Sequence, residues 1–140
     1  LTLRAFEEAL RLYPPAWLIA RDSVHEDVVM GYRVPGGCIV LVSVYGLHRS
    51  PDLWDNPETF DPDRFLPERS AGRERYAYLP FGVGQRQCIG NTFALTEGHL
   101  ILATLLQRYR FESLPGDGVA TEPLITLRPR GGLLLRVTPA

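Results

Sequence analysis

Cys88 stands in the run Phe81-Gly82-Val83-Gly84-Gln85-Arg86-Gln87-Cys88-Ile89-Gly90, a glycine-punctuated loop with an arginine two residues before the thiol. A cysteine binds metal as its thiolate, and a helix amino terminus favours that negative form. The residues after Gly90 read as such a helix, so the loop presents Cys88 in a setting suited to holding a metal. Glu8 and Arg11 sit three apart on a helical pattern and can pair there. Asp61 and Asp63 are two carboxylates in one turn, but no second group of ligands accompanies them, and a solvated acidic turn accounts for them. His48 lacks metal-ligand company and is read as a structural hydrogen-bonding group. Cys38 opens a strand and is read as core packing. Neither cysteine has a C-x-x-C neighbour, so nothing points to a structural zinc site or a disulfide scaffold.

These residues need elements to position them. Leu3, Phe6, Ala9, Leu10 and Tyr13 fall on one face of a helix over 3–13, with Thr2 as its cap and Pro14-Pro15 as its stop. Glu8 and Arg11 lie on the other side. Trp17-Leu18-Ile19-Ala20 reads as a short buried strand with Arg21 at its end. Val28 to Tyr32 and Cys38 to Val44 are β-rich runs, and Pro35-Gly36 between them suits the centre of a type II turn, which predicts a hairpin. From His48 to Phe65 the pattern is loop with short helical turns, anchored by Trp54, Phe60 and Phe65. Pro67 to Tyr78 reads as a polar surface loop.

Asn91 to Tyr109 carries apolar residues on nearly every side, which is the pattern of a helix buried inside a larger protein. Leu114 to Gly118 reads as a loop. Leu124 to Leu127 and Leu133 to Val137 read as two strands joined by Arg128-Pro129-Arg130-Gly131-Gly132, a second hairpin. At 140 residues with a net charge of -1, the chain has the size of one domain and no polyanionic character, so no nucleic-acid partner is indicated. No apolar run reaches the ~20 residues that span a bilayer, and no membrane segment is expected in this chain.

Three motifs stand in a fixed order: E-x-x-R at Glu8 and Arg11, P-D-R-F at Pro62 to Phe65, and F-x-x-G-x-R-x-C-x-G at Phe81 to Gly90. In that order they resemble the cytochrome P450 family, from its K helix to its carboxyl end. The resemblance implies an α+β fold, mostly α in the complete protein. Residues 1–140 would be the carboxyl-terminal portion of a single P450 domain whose upstream helices are absent. It would hold the K and L helices, the haem-ligand cysteine loop and small β-hairpins. The implied cofactor is haem b, with Cys88 as axial thiolate to the iron. Arg86 and Arg21 would bind its propionates, with Phe81, Gly82 and Gly90 shaping the loop around the sulfur. Glu8, Arg11 and Arg64 would form an internal network that braces the loop. Trp17, Ile125 and Thr126 are candidates for the substrate pocket. Gln85 stands where many relatives have another residue, often proline, with no consequence for ligation.

The implied function is that of a haem-thiolate monooxygenase, inserting one oxygen atom from O2 into a small organic substrate. Thiolate ligation favours O–O cleavage. Electrons would come from a redox partner, a ferredoxin or a flavoprotein reductase, since no flavin or iron–sulfur motif is present. A non-catalytic fragment or interaction module, inactive alone, is the alternative; haem-thiolate peroxygenase or isomerase chemistry is another. Localisation stays open, cytoplasmic if the source is bacterial. The oxygen-activating residues of the family lie upstream of E-x-x-R and are not in this sequence.

Overall fold

The computed structural model describes residues 1–114 and 119–140. The first helix, α1, spans Thr2–Leu12, with Leu1 rather than Thr2 at the cap position. Its burial departs in part from the expectation from hydropathy, although Leu10 of the apolar face is buried. Glu8 and Arg11 are fully buried, whereas Leu3 and Tyr13 are exposed. Each charged side chain finds its full set of partners inside, which is the condition under which charges enter an interior. On the opposite flank α1 packs on α4, the helix Asn91–Leu106. A Cβ built on Gly98 of α4 would lie 2.3 Å from the Phe6 ring, so only glycine allows this approach.

Two nested antiparallel units follow one plan. In the first, β1 (Leu18–Asp22) pairs with β4 (Ile39–Ser43), and the hairpin of β2 (Asp27–Val29) and β3 (Tyr32–Val34) is held between them in sequence. The expected hairpin across Pro35-Gly36 is therefore corrected. The tight turn is Met30-Gly31, both residues at positive φ, +49° and +84°. That backbone matches the twist of a two-residue hairpin turn. Methionine in the left-handed region gives no turn signal, which hid it. Pro35 to Gly37 instead leads β4 back to β1: Gly37 donates to the Ser23 carbonyl at 2.7 Å, and Ser23 to the Cys38 carbonyl at 2.9 Å. Strand β1 runs through Arg21 to Asp22 and is half-buried to exposed, not buried. Cys38 is only partly covered, its thiol placed 3.3 Å from the Ser23 hydroxyl and 3.1 Å from the Pro35 carbonyl, which is a polar setting and not core packing.

In the second unit β5 (Tyr109–Ser113) pairs with β8 (Leu135–Pro139), enclosing the hairpin of β6 (Thr121–Pro123) and β7 (Leu127–Pro129). The expected pairing of 124–127 with 133–137 does not occur. Leu124, Ile125 and Thr126 form the tip between β6 and β7, and Gly131 and Gly132, both at positive φ, turn the chain away after β7. The loop expected at Leu114 to Gly118 lies, apart from Leu114, outside the described residues.

Between the two units, α2 (Val44–Leu47) is capped by the Ser43 hydroxyl, which accepts from Gly46 N–H at 3.1 Å. A 3-10 turn covers Pro62–Phe65, and α3 spans Pro67–Ser70. The segment 67–78 is not wholly a surface loop. Ala77 is buried, and the Arg73 guanidinium lies over the rings of Trp54 at 4.7 Å and Phe65 at 4.6 Å. Phe60 is half-exposed, while Trp54 is buried as expected. The interior is centred on Glu8, Arg11, His48, Arg64, Leu10, Leu12, Val44, Trp54 and Ala77. No residue of α4 is buried, and Phe93, Leu100 and Ile101 face outward. Among the described residues no helix is long and apolar enough to cross a membrane.

Candidate functional site: a cysteine loop over an apolar cleft

The cysteine loop folds back on itself through a few backbone bonds. Gly82 N–H donates to the Leu79 carbonyl at 3.1 Å, Gln87 N–H to Gly84 at 3.1 Å, and Cys88 N–H to Phe81 at 2.9 Å. Gly82 and Gly84 have φ of +72° and +73°, the left-handed region that a side chain would strain. Between them and the cysteine, Gly84–Arg86 makes one 3-10 turn. Helix α4 starts at Asn91, with Gly90 at its cap position, so Cys88 precedes the helix as the sequence indicates. A Cβ on Gly90 would lie 3.8 Å from the Cys88 sulfur. The glycine thus leaves one flank of the sulfur open where any side chain would stand against it.

Cys88 is exposed on a cleft of about 340 Å³ lined by Leu10, Pro15, Ala16, Ile19, Arg21, Pro80, Phe81, Gly82 and Arg86 as well as by the cysteine itself. Five of the expected residues therefore meet: Cys88, Arg86, Arg21, Phe81 and Gly82. They come from the loop and from β1, which is brought there because Pro14-Pro15 turns the chain sharply after α1. Arg21 Nη1 folds back to its neighbour's carbonyl, on Ala20, at 2.8 Å. Trp17, Ile125 and Thr126 lie outside this lining but near one another. Trp17 Nε1 donates to the Leu124 carbonyl at 2.8 Å, and Leu127 N–H to the Pro15 carbonyl at 2.9 Å, so the tip of the β6–β7 hairpin is pinned to the start of β1. Ile125 at that tip is wholly exposed.

Behind the cleft lies the ion network. Glu8 accepts two bonds from Arg11, from Nε and Nη2, each at 2.8 Å, one from the Asp61 amide at 2.9 Å and one from Arg64 Nε at 3.3 Å. Arg11 Nη1 donates to the carbonyls of His48 and Pro57, both at 2.7 Å, and Nη2 to Thr59 at 3.2 Å. Arg64 Nη2 donates to the Asn56 carbonyl at 2.8 Å. One carboxylate and two guanidinium forks thus fix three segments that are 50 or more residues apart in the case of Glu8 and Arg64. Net stability is not the main gain, because desolvation offsets much of the attraction. A single geometry is.

His48 is the structural hydrogen-bonding group that the sequence indicates, and what spacing did not show is which partners it holds. Its ring is buried, Nε2 accepts from the Leu79 amide at 2.8 Å, and Nδ1 faces the Arg11 carbonyl at 3.1 Å. Burial pushes its pKa down to about 4, so it is neutral at pH 7. Tyr78 stacks on it with centroids 5.3 Å apart, and burial holds the Tyr78 hydroxyl above the usual phenol range. No spacing rule marks a lone histidine for such a position. The cleft walls at Leu10, Pro15, Ala16 and Ile19 were also unmarked, since apolar residues beside a proline pair read as ordinary packing.

The donor set limits what the site can hold. Among the described residues no group of three or more His, Cys, Asp and Glu could share a metal ion. A metal held by Cys88 must therefore arrive with its other ligands. An apolar cleft, one accessible sulfur and two arginines fit a flat, largely apolar group that carries its own metal and acidic substituents. Haem meets that description, and the residues present fit it.

The sequence matches the cytochrome P450 family over residues 1–136. It is 47% identical over 126 residues to cyclooctatin synthase of Streptomyces melanosporofaciens, covering 90% of this chain and 28% of that protein. It is 47% identical over 109 residues to cyclooctat-9-en-7-ol 5-monooxygenase of the same organism, covering 78% of this chain and 24% of that one. The fold matches the crystal structure of the cytochrome P450DA heme domain with a TM-score of 0.92 and 34% identity, over 99% of this chain and 31% of the other. The chain belongs to the cytochrome P450 family, and it spans about a quarter to a third of the proteins it resembles.

Proposed function

We propose that this chain supplies the thiolate side of the haem site of a monooxygenase that acts on a small organic substrate. The observation that carries the reading is the Cys88 thiol opening onto an apolar cleft flanked by Arg21 and Arg86. When bound there, haem b supplies the oxygen chemistry, and thiolate ligation favours O–O cleavage. Cys88 binds the iron as thiolate. Arg86 and Arg21 take the two propionates, as charge-assisted hydrogen bonds to carboxylates require. Phe81, which lines the same cleft, would shield the sulfur from water once the haem covers the other side. The Ile89 and Gly90 amides have no backbone partner among the described residues and are left to donate to it. The network of Glu8, Arg11 and Arg64 holds α1 and the 56–64 segment behind the loop. It has no part in bond making.

Residues 1–140 form the carboxyl-terminal portion of one domain. Support comes from α4, apolar on all sides yet without a buried residue, and from the fraction of its relatives that the chain spans. Distal oxygen-activating groups and most substrate contacts then belong to residues outside this chain. Electrons come from a ferredoxin or a flavoprotein reductase. The test is turnover of a substrate by the holoprotein that carries this chain, with and without an electron donor. Oxygen insertion that needs both O2 and the donor is expected. Turnover driven equally well by peroxide without a donor would assign a peroxygenase instead, and stable haem with no turnover under either condition would leave a non-catalytic relative.

A further inference from the structure

We propose that His48 is a positioning residue for Cys88: its imidazole ties α1 to the start of the cysteine loop and so fixes how the sulfur is presented. This rests on the reading of Cys88 as the haem ligand. An amide N–H only donates, so the bond from Leu79 at 2.8 Å makes Nε2 the unprotonated nitrogen. Nδ1 then carries the proton and donates to the Arg11 carbonyl at 3.1 Å. The His48 carbonyl in turn accepts from Arg11 Nη1 at 2.7 Å, so residues 11 and 48 are tied twice, in opposite directions. Beside the ring, the Tyr78 hydroxyl donates to the Glu7 carbonyl at 3.0 Å and closes the same junction.

From the ring a short series of bonds runs to the thiol-bearing residue. His48 Nε2 holds the Leu79 amide, the Leu79 carbonyl holds Gly82 N–H, and the adjoining Phe81 carbonyl holds Cys88 N–H. Pro80 has no N–H to offer, so the Leu79 amide is where this approach to the loop is fastened. The ion network makes no direct bond to the loop among the described hydrogen bonds; His48 is the side chain that passes its geometry on. A histidine buried only for packing would show no preference for which of its nitrogens is kept.

Two substitutions in the intact protein that carries this chain separate these roles. In His48→Asn the side-chain amide reaches the Nδ1 position and can donate to Arg11, but it is too short for Leu79. In His48→Gln the carbonyl reaches the Nε2 position and accepts from Leu79. Each loses the ring and one bond, so a packing role makes them equally damaging. The readouts are amide hydrogen exchange at Leu79 and Cys88, and the fraction of the ferrous carbonyl complex with a thiolate-type, red-shifted Soret band. His48→Asn is expected to speed exchange at both amides about tenfold over His48→Gln, as loss of one net hydrogen bond does, and to lower the thiolate fraction. Equal exchange at Cys88 in the two variants would overturn the proposal. Should either variant fail to fold, the wild-type protein decides. Leu79 must exchange as slowly as the Asp61 amide that Glu8 holds, and exchange as fast as exposed Val83 overturns the proposal. Failure of the Cys88 assignment itself would show separately, as a wild-type carbonyl complex without the thiolate band but with the exchange contrast intact.

Discussion

Replacing Arg11 by lysine keeps the charge in the network and removes the fork, which isolates geometry from Coulomb attraction. Arg11 spends all five N–H donors: two on Glu8, and one each on the carbonyls of His48, Pro57 and Thr59. A lysine ammonium has three donors at one point, so at least two buried acceptors lose their partner. Each unsatisfied buried group costs about 1–3 kcal/mol. The guanidinium also lies 5.1 Å from the centroid of the Trp54 ring, a cation–π contact. Two unsatisfied groups make the loss about 2–6 kcal/mol, with the charge itself still paired. Equilibrium urea unfolding of the intact protein reads this directly. With a slope of about 2 kcal/mol per molar urea, a loss of about 4 kcal/mol lowers the midpoint by about 2 M. Arg64→Lys should cost less, since Arg64 reaches Glu8 through a single bond of 3.3 Å. An Arg11→Lys loss below about 1 kcal/mol would mean that the fork adds nothing to the charge.

Three further outcomes follow from the same geometry. His48 is held neutral with a pKa of about 4, against an unfolded value of about 6.5. The unfolded chain therefore binds a proton first as pH falls. The His48 contribution is complete above about pH 6.5 and is lost on the way down to about pH 4, a loss of about 3 kcal/mol. Asp61, held low chiefly by its hydrogen bond from Arg69, also loses stability on acidification, while Glu7, raised by burial, acts in the opposite direction. Unfolding midpoints across this range should slope accordingly, and the slope should flatten in His48→Gln; an unchanged slope would remove His48 as its source. Gly98→Ala gains about 1 kcal/mol of helix propensity, yet its Cβ would stand 2.3 Å from the Phe6 ring. Overpacking costs about 1–3 kcal/mol and wins, so thermal unfolding should occur at lower temperature, with Phe6→Leu restoring it in the double variant. Arg86→Leu should release haem about tenfold faster in transfer to an acceptor protein, the loss of one charge-assisted bond; an unchanged rate would place the propionates elsewhere.

Much of the site was legible because it is local. The order Phe81 to Gly90 contains its own turn-making glycines, and Arg86 and Cys88 reach the same cleft from one short segment. The burial of Glu8 and Arg11 was not legible from spacing, which makes an i, i+3 pair look like a solvated face. Only carbonyls from residues 48, 57 and 59, supplied by distant chain, make the interior tolerable to them. Strand pairing failed for a related reason. Adjacent β-rich runs were paired with each other, but the turn that closes the first hairpin is Met30-Gly31, and the outer strands in both units pair across an enclosed hairpin. Gly98 gave no signal either, since its requirement comes from a ring on another helix.

Every role proposed for the cleft depends on Cys88 being the thiolate ligand of a haem. The most direct test of that ligation is the absorption spectrum of the ferrous carbonyl complex of the protein carrying this chain, wild type beside Cys88→Ala. A red-shifted, thiolate-type Soret band is expected in the wild type and should vanish in the variant. A wild-type complex lacking that band, or a variant retaining it, would mean that Cys88 does not ligate the iron.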